Sequence, residues 1–249
     1  TIFADYIFIN TGSKSVIPSI QGIQEAKHIY TSATIMKETT LPKNLAIIGG
    51  GYIGLELASM YARYGSQVTV FELNERLVGR EDEDVALEIQ HILENQGVQF
   101  KFKSRVQEVS NQNEKAVIHY SQDETRYIDR FDAILLATGR SANTADLGLE
   151  NTGVQMNERG QIIVNEYLQT DVPHIYAMGD VKGGLQFTYI SLDDYRIVKD
   201  HLFGNKTRTI HNRGHIPYSV FISPTFSRVG LSEQEATQQG YDVKIAKLP

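Results

Sequence analysis

The stretch Gly49-Gly50-Gly51-Tyr52-Ile53-Gly54 limits the possible folds of this chain more than any other. Leu45 to Ile48 before it reads as a strand, and Ile53 to Tyr64 after it reads as a helix closed by Gly65. Gln67 to Glu72 follows as a second strand, so the unit is strand, glycine turn, helix, strand. In such a unit one glycine makes the tight turn, one lets a pyrophosphate approach the backbone, and one packs helix against strand. The first N–H groups of the helix and its dipole then face the phosphates. Glu72, at the end of the second strand, is placed to accept hydrogen bonds from ribose hydroxyls. Gly49, Gly51, Ile53, Gly54 and Glu72 are therefore the expected dinucleotide contacts. A carboxylate there repels a 2′-phosphate, and Leu73, Asn74 and Glu75 bring no cation, so NADH is expected. Arg76 and Arg80 keep NADPH as the minority reading.

The rest of the chain is organised around this unit. A helix is expected from near Glu81 to before Gly97, with Val85, Ile89, Ile92 and Leu93 on its apolar face. Its acidic start, Glu81-Asp82-Glu83-Asp84, reads as carboxylates in the first turn favouring the helix dipole, not as a metal site. Val98 to Tyr120, Arg126 to Ile128 and Ile134 to Ala137 read as strands of a meander that returns to the sheet. Pro18, Gly22 and Pro42 punctuate a looser connection ahead of the glycine turn. The segment from Asp5 to Gly12, read as a buried strand, shares with Asp132 to Gly139 an Asp, an apolar run and then Thr-Gly. Two such copies flanking the glycine unit predict that it is inserted into another domain.

Composition closes several functional classes. Of 249 residues, 24 are Lys or Arg and 30 are Asp or Glu; the net charge of −6 gives no reason to expect a nucleic-acid or anionic-membrane partner. No apolar run approaches the roughly 20 residues that span a bilayer. The absence of cysteine excludes disulfides, thiolate metal sites and cysteine nucleophiles within the chain, and its seven histidines are dispersed, so no metal is assigned. The first residue is Thr1 rather than Met, which predicts a piece of something longer.

A second motif, Thr170 to Asp180, ends a short apolar strand in Met178-Gly179-Asp180 and sets a carboxylate at a sheet's carboxyl edge. With the paired Thr-Gly strands, Ala137-Thr138-Gly139-Arg140, and the stretch from Ile216 to Pro249, the chain resembles the middle of a pyridine nucleotide–disulfide oxidoreductase. That is the flavoprotein family of dihydrolipoamide dehydrogenase, glutathione reductase and mercuric reductase. Gln186 to Val198 is most similar to the bacterial reactive-chlorine-resistance and hypothiocyanous-acid reductase group.

The resemblance implies an α/β architecture: a Rossmann-like NAD-binding domain, parallel sheet plus β-meander, inserted in part of an FAD-binding domain and followed by the start of an α+β dimerisation domain. Residues 1–40 would be an FAD-domain segment and linker, 41–138 the NAD(P) domain, 139–213 the second FAD segment and 214–249 the start of the dimerisation domain. Thr11, Gly12, Arg140, Gly179, Asp180, Phe187 and Thr188 match FAD-site positions, with Asp180 on the ribityl chain; Gly139 lies on the NAD side. Tyr52 matches the aromatic that covers the flavin and swings away when the nicotinamide enters, and Glu56 matches the acid beside the nicotinamide.

The implied activity is reduction of FAD by NADH and then of a redox disulfide that lies outside this chain. The second glycine fingerprint, the Cys-x4-Cys segment and the C-terminal His-Pro-Thr segment also lie outside it. The acceptor would be a small-molecule oxidant or disulfide, the whole enzyme a cytoplasmic homodimer, and the isolated piece inactive. Two alternatives stay open: a non-catalytic NAD-binding fragment, and an NADH oxidase or peroxidase with a single catalytic cysteine.

Overall fold

Residues 3–248 are described by the computed structural model. They divide into two compact units, with the chain passing between them at Lys14–Ser15, Gly139–Arg140 and Ile216–Pro217.

The larger unit, Ser15–Gly139 and the chain from Pro217 onward, is built on a five-stranded sheet. Its strands run Ile29–Thr31, Ala133–Leu136, Asn44–Ile48, Gln67–Phe71 and Gln99–Lys101 from edge to edge, all parallel. Parallel strands are covered on both faces, so they read as unbroken apolar runs; Ala133 to Leu136 are all buried. Alternate residues serve opposite layers. Leu45, Ile47, Val68, Val70, Ala133 and Leu135 pack against two helices, Tyr52–Arg63 and Glu83–Asn95. Ala46, Ile48, Phe71, Ile134 and Leu136 pack against a separate antiparallel meander, Ser104–Gln112, Lys115–Gln122 and Thr125–Phe131. Each fully buried Leu or Ile here stabilises the layer by roughly 1.5–3 kcal/mol relative to exposure.

The expected meander and its return to the sheet are present. The connection ahead of Leu45 is less loose than expected, since Ile29–Thr31 adds an edge strand by pairing with Ala133–Leu136. Three residues are too short a run to show a period, which hides the strand from pattern reading. The helix expected from Glu81 begins at Glu83, with Asp82 as its N-cap. Of the acidic cluster, only Glu83 and Asp84 lie in the first turn, where the dipole argument holds. The hairpin Pro217–Val220 with Phe226–Val229 completes this unit and buries Val220 in the helix-side core.

The smaller unit holds the parallel pair Ile7–Ile9 and Ile175–Ala177 and the helix Thr188–Phe203. Ile9, Ile175 and Ala177 face one apolar cluster with Ile162 and Val181; Tyr176 and Met178 face another with Ile197 and Val198 of the helix. The segment read as a buried strand is only partly so. Ile7 and Phe8 are 44% and 46% exposed, and only Ile9 of this strand is buried. Among the described residues, no helix is long and apolar enough to cross a membrane.

Candidate functional site

In the larger unit the strand Asn44–Ile48 ends in Gly49, whose φ of +111° turns the chain into the helix. A Cβ on Gly49 would lie 2.4 Å from the Ala137 carbonyl oxygen, and one on Gly54 would lie 2.1 Å from the Gly49 carbonyl oxygen. Both glycines are thus demanded by backbone packing. Gly51 is different: it is the helix N-cap, in extended geometry with φ −82°, and a Cβ there would meet nothing within 4 Å. No side chain caps this helix and no acidic residue sits in its first turn. The positive end of the dipole faces the open side of the turn, as an anion-binding helix requires. Ile53 is half-buried in the same first turn.

Glu72 is 8% exposed, and its carboxylate holds the turn together. Oε2 accepts a hydrogen bond from the Gly50 amide at 2.7 Å, and Oε1 accepts from the Asn74 amide at 2.8 Å and its side chain at 2.7 Å. Each oxygen has further lone-pair capacity for a ligand hydroxyl. Gly49, Gly50, Gly51, Glu72, Asn74 and Gly139 line one groove at the carboxyl ends of the strands, where open parallel sheets bind ligands. Arg105, on the first meander strand, lines it too. Arg76 does not; its guanidinium donates to the Gly79 carbonyl at 3.2 Å and lines a different cavity. The cation at the groove therefore comes from the meander, a placement that the sequence next to Glu72 does not reveal.

Tyr52 and Glu56 share one face of the helix, one turn apart, and both meet the C-terminal hairpin. Glu56 Oε1 accepts a hydrogen bond from the Phe221 amide at 2.9 Å. The Tyr52 hydroxyl donates to Glu81, as does the Tyr218 hydroxyl. Glu81 is 1% exposed and also lies 3.3 Å from the Arg228 guanidinium. Glu81 is thus a buried, multiply bonded carboxylate outside the helix, not the dipole-facing residue expected from the acidic run. Burial and the bond to Glu81 push the Tyr52 phenol up to about 12, and the same two causes raise Tyr218 further. Both hydroxyls are therefore protonated donors at neutral pH.

The smaller unit gathers the other expected residues at the carboxyl ends of its two parallel strands. Thr11 donates its hydroxyl to the Asn143 carbonyl at 2.8 Å, and the Asn143 amide donates to the Gly12 carbonyl at 2.9 Å. The Ser13 hydroxyl donates to Asp180 Oδ2 at 2.6 Å; Arg140 holds Ser13 through Nε to the hydroxyl at 2.7 Å and Nη2 to its carbonyl at 2.6 Å. Gly179 has φ +68°, and a Cβ there would lie 2.7 Å from the Asn10 side chain and 3.0 Å from the Ser191 hydroxyl. Its amide donates to Asp194 Oδ2 at 2.7 Å. Asp194 is fully buried and paired with Arg213 at 2.5 Å and Lys182 at 3.3 Å. Phe187 is the N-cap of the helix that opens at Thr188, and its ring stacks on Tyr189 at 5.3 Å between centroids. Ser13 and Asp194 were missed because a lone Ser and a helix-borne Asp carry no motif; only the fold puts them beside Asp180 and Gly179.

A glycine turn opening a helix at the carboxyl end of a central parallel strand, with a second Gly-Asp turn at the end of another parallel strand, defines a nucleotide-binding α/β protein. The family model described as pyridine nucleotide-disulphide oxidoreductase matches residues 1–194, and the chain belongs to that family. It is 45% identical over 248 residues to the probable pyridine nucleotide-disulfide oxidoreductase RclA of Escherichia coli K12, covering 100% of this chain and 55% of that protein. It is 37% identical over 242 residues to a mercuric reductase of Staphylococcus aureus, covering 97% and 44%. The solved structure of the HOCl-induced flavoprotein disulfide reductase RclA from E. coli superposes with a TM-score of 0.91 at 44% identity, covering 98% of this chain and 55% of that one. The chain therefore spans about half the length of the curated relatives it matches.

Proposed function

We propose that this chain is the nucleotide-binding core of an NADH-dependent FAD flavoprotein that reduces a redox disulfide lying outside it, and through that disulfide a small-molecule oxidant or disulfide. In this reading residues 41–138 are the NAD(P)-binding domain, inserted into an FAD-binding domain made of residues 1–40 and 139–213, and residues 214–249 open a dimerisation domain. The whole enzyme would work as a cytoplasmic homodimer. The observation that carries the reading is the groove at Gly49–Gly51, with its uncapped helix N-terminus and Glu72 bonded to the Gly50 amide.

The residues present fit a dinucleotide. Gly51 leaves open space where a pyrophosphate would approach, the helix N–H groups and Arg105 answer its charge, and Glu72 and Asn74 offer acceptors and donors to a ribose. They also fit a flavin nucleotide in the smaller unit, where Asp180, bonded by the Ser13 hydroxyl that Arg140 in turn holds, would present a carboxylate to a ribityl hydroxyl. When bound, NADH supplies a hydride and FAD accepts it. The chain's own part is to hold both cofactors, and to present Tyr52 and Glu56 from the first two turns of the fingerprint helix. Positioning of this kind is the protein's share in cofactor chemistry.

Calorimetric titration of the chain with NADH and with NADPH tests the reading. NADH should bind at least tenfold more tightly, because Glu72 disfavours a second charge on the ribose; equal or tighter binding of NADPH refutes the NADH assignment. One observation favours a narrower reading in which this chain by itself only binds: it has no cysteine, so it cannot carry the redox disulfide. Flavin-dependent dye reduction by the isolated chain refutes that narrower reading.

A further inference from the structure

The acidic residue Glu81 is not used by either cofactor contact set, yet it is among the most completely buried charged groups of the described residues, at 1% exposure. Burial of a carboxylate costs several kcal/mol unless it is fully bonded, and here the bonding comes from two sides. From the fingerprint helix it takes the Tyr52 hydroxyl. From the hairpin it takes Tyr218 and Arg228, which oppose each other in one rung of the ladder, with the guanidinium 5.2 Å from the Tyr218 ring centroid. The two phenol rings lie 5.8 Å apart, and their oxygens 3.4 Å apart on the same carboxylate oxygen. Arg228 is also bound to Glu235 at 3.0 Å, which fixes the hairpin side of the cluster independently of Tyr52. Three residues from two separated stretches, the fingerprint helix and the hairpin, thus meet at the Glu81 side chain.

We propose that Glu81, held by the Tyr218–Arg228 rung, is the positioning residue for Tyr52, and that it sets how readily this aromatic leaves its place when a nicotinamide arrives. The proposal rests on the reading of Tyr52 as the residue that meets the nicotinamide. A phenol bonded to a buried carboxylate is held by a strong hydrogen bond, so removing that bond should change how readily Tyr52 moves by about tenfold or more. Glu81 also bonds the hairpin whose Phe221 amide donates to Glu56, so the Tyr52→Phe background is what separates the route through the Tyr52 hydroxyl from the route through the hairpin.

Two measurements test this. In the flavoprotein that contains this chain, stopped-flow reduction of the flavin by NADH is followed for the wild type, Glu81→Gln, Tyr52→Phe, the double variant and Tyr218→Phe. Glu81→Gln and Tyr52→Phe should each shift the apparent NADH affinity or the reduction rate at least fivefold in the same direction, and the double variant should match Tyr52→Phe alone. Tyr218→Phe, which perturbs the carboxylate from the hairpin side, should give a smaller shift of the same sign even if Glu81→Gln folds poorly. A Glu81→Gln effect that persists undiminished in the Tyr52→Phe background overturns the proposal, as does wild-type behaviour of Glu81→Gln when Tyr52→Phe is altered.

The second measurement needs no cofactor. The chain has 13 tyrosines and no tryptophan, so alkaline ultraviolet difference absorbance reports phenol ionisation directly. Glu81→Gln should bring the last tyrosines to titrate down towards the rest. An unchanged titration overturns the positioning role of Glu81 whether or not NADH binds, whereas a shifted titration with no NADH binding by the wild type overturns the functional reading instead.

Discussion

A methyl group on Gly54 and a methyl group on Gly51 should damage the protein in opposite ways, although the two glycines belong to one motif. In Gly54→Ala the new Cβ would sit 2.1 Å from the Gly49 carbonyl oxygen and 3.3 Å from the Ala137 Cβ. The obstacle is backbone, and Gly49 cannot retreat easily because it is pinned by its own hydrogen bond to Phe71 at 2.9 Å. Helix and turn would have to part by roughly 1 Å, an overpacking cost of about 3 kcal/mol; alanine's better helix propensity returns up to about 1 kcal/mol. The net loss is about 2 kcal/mol of stability, read as a lowered midpoint in chemical denaturation at unchanged slope. In Gly51→Ala the methyl points into open space from a backbone that alanine adopts readily. Stability should fall by less than about 1 kcal/mol. On the proposed reading, NADH affinity in a calorimetric titration should fall at least tenfold, because the methyl would stand where a pyrophosphate would meet the helix N–H groups, each such bond being worth about 1.5–3 kcal/mol. Wild-type stability of Gly54→Ala, or wild-type NADH affinity of Gly51→Ala, would refute the division of labour within the turn.

Other expectations follow from the same geometry. Asp194→Ala should destabilise the protein by about 3–5 kcal/mol in chemical denaturation, since it takes the carboxylate from half-buried Lys182, leaves Arg213 only Asp193 at 3.5 Å, and removes the acceptor of the Gly179 amide. Flavin retention by the longer protein should fall with it. Tyr52 has its phenol raised by burial and by Glu81 to about 12. A raised value means that its stabilisation is complete below the unfolded value near 10 and is lost as pH climbs from there to about 12; Tyr52→Phe should flatten that part of the alkaline stability profile. For Asp132 burial works against the charge, yet the Lys115 ammonium and the Asn44 amides hold its carboxyl below the usual range. That contribution is present above about pH 4 and is lost on further acidification, so Asp132→Asn should remove part of the acid slope of stability in pH-jump unfolding.

Much of this was legible in one dimension because the signals are local. The glycine spacing, the strand before it and Glu72 after it lie within a single strand-turn-helix-strand unit, and the apolar faces of the Glu83–Asn95 helix and the meander repeat with their own periods. Family membership followed from ordered motifs spread along the chain. Local sequence misleads where its meaning depends on distant partners. Glu81 lies in an acidic run that resembles a helix start, but its place is decided by Tyr218 and Arg228, far along the chain. The run from Ile7 to Ile9 looks buried by composition, yet burial depends on what lies beside it. Ile29–Thr31 is a strand only because Ala133–Leu136 offers it an edge.

The sequence by itself determined the glycine turn and the acid that follows it, because a turn whose backbone packs as closely as at Gly49 and Gly54 admits only glycine and announces itself in nearby residues. Tertiary structure alone decided that Glu72 grips the turn, that the groove's cation is Arg105, that Ser13 carries Asp180, and that Glu81 holds Tyr52. The physical reason is common to all four. A hydrogen bond or ion pair is made by side chains within a few ångströms of one another, and only folding brings residues so far apart in the chain to that distance.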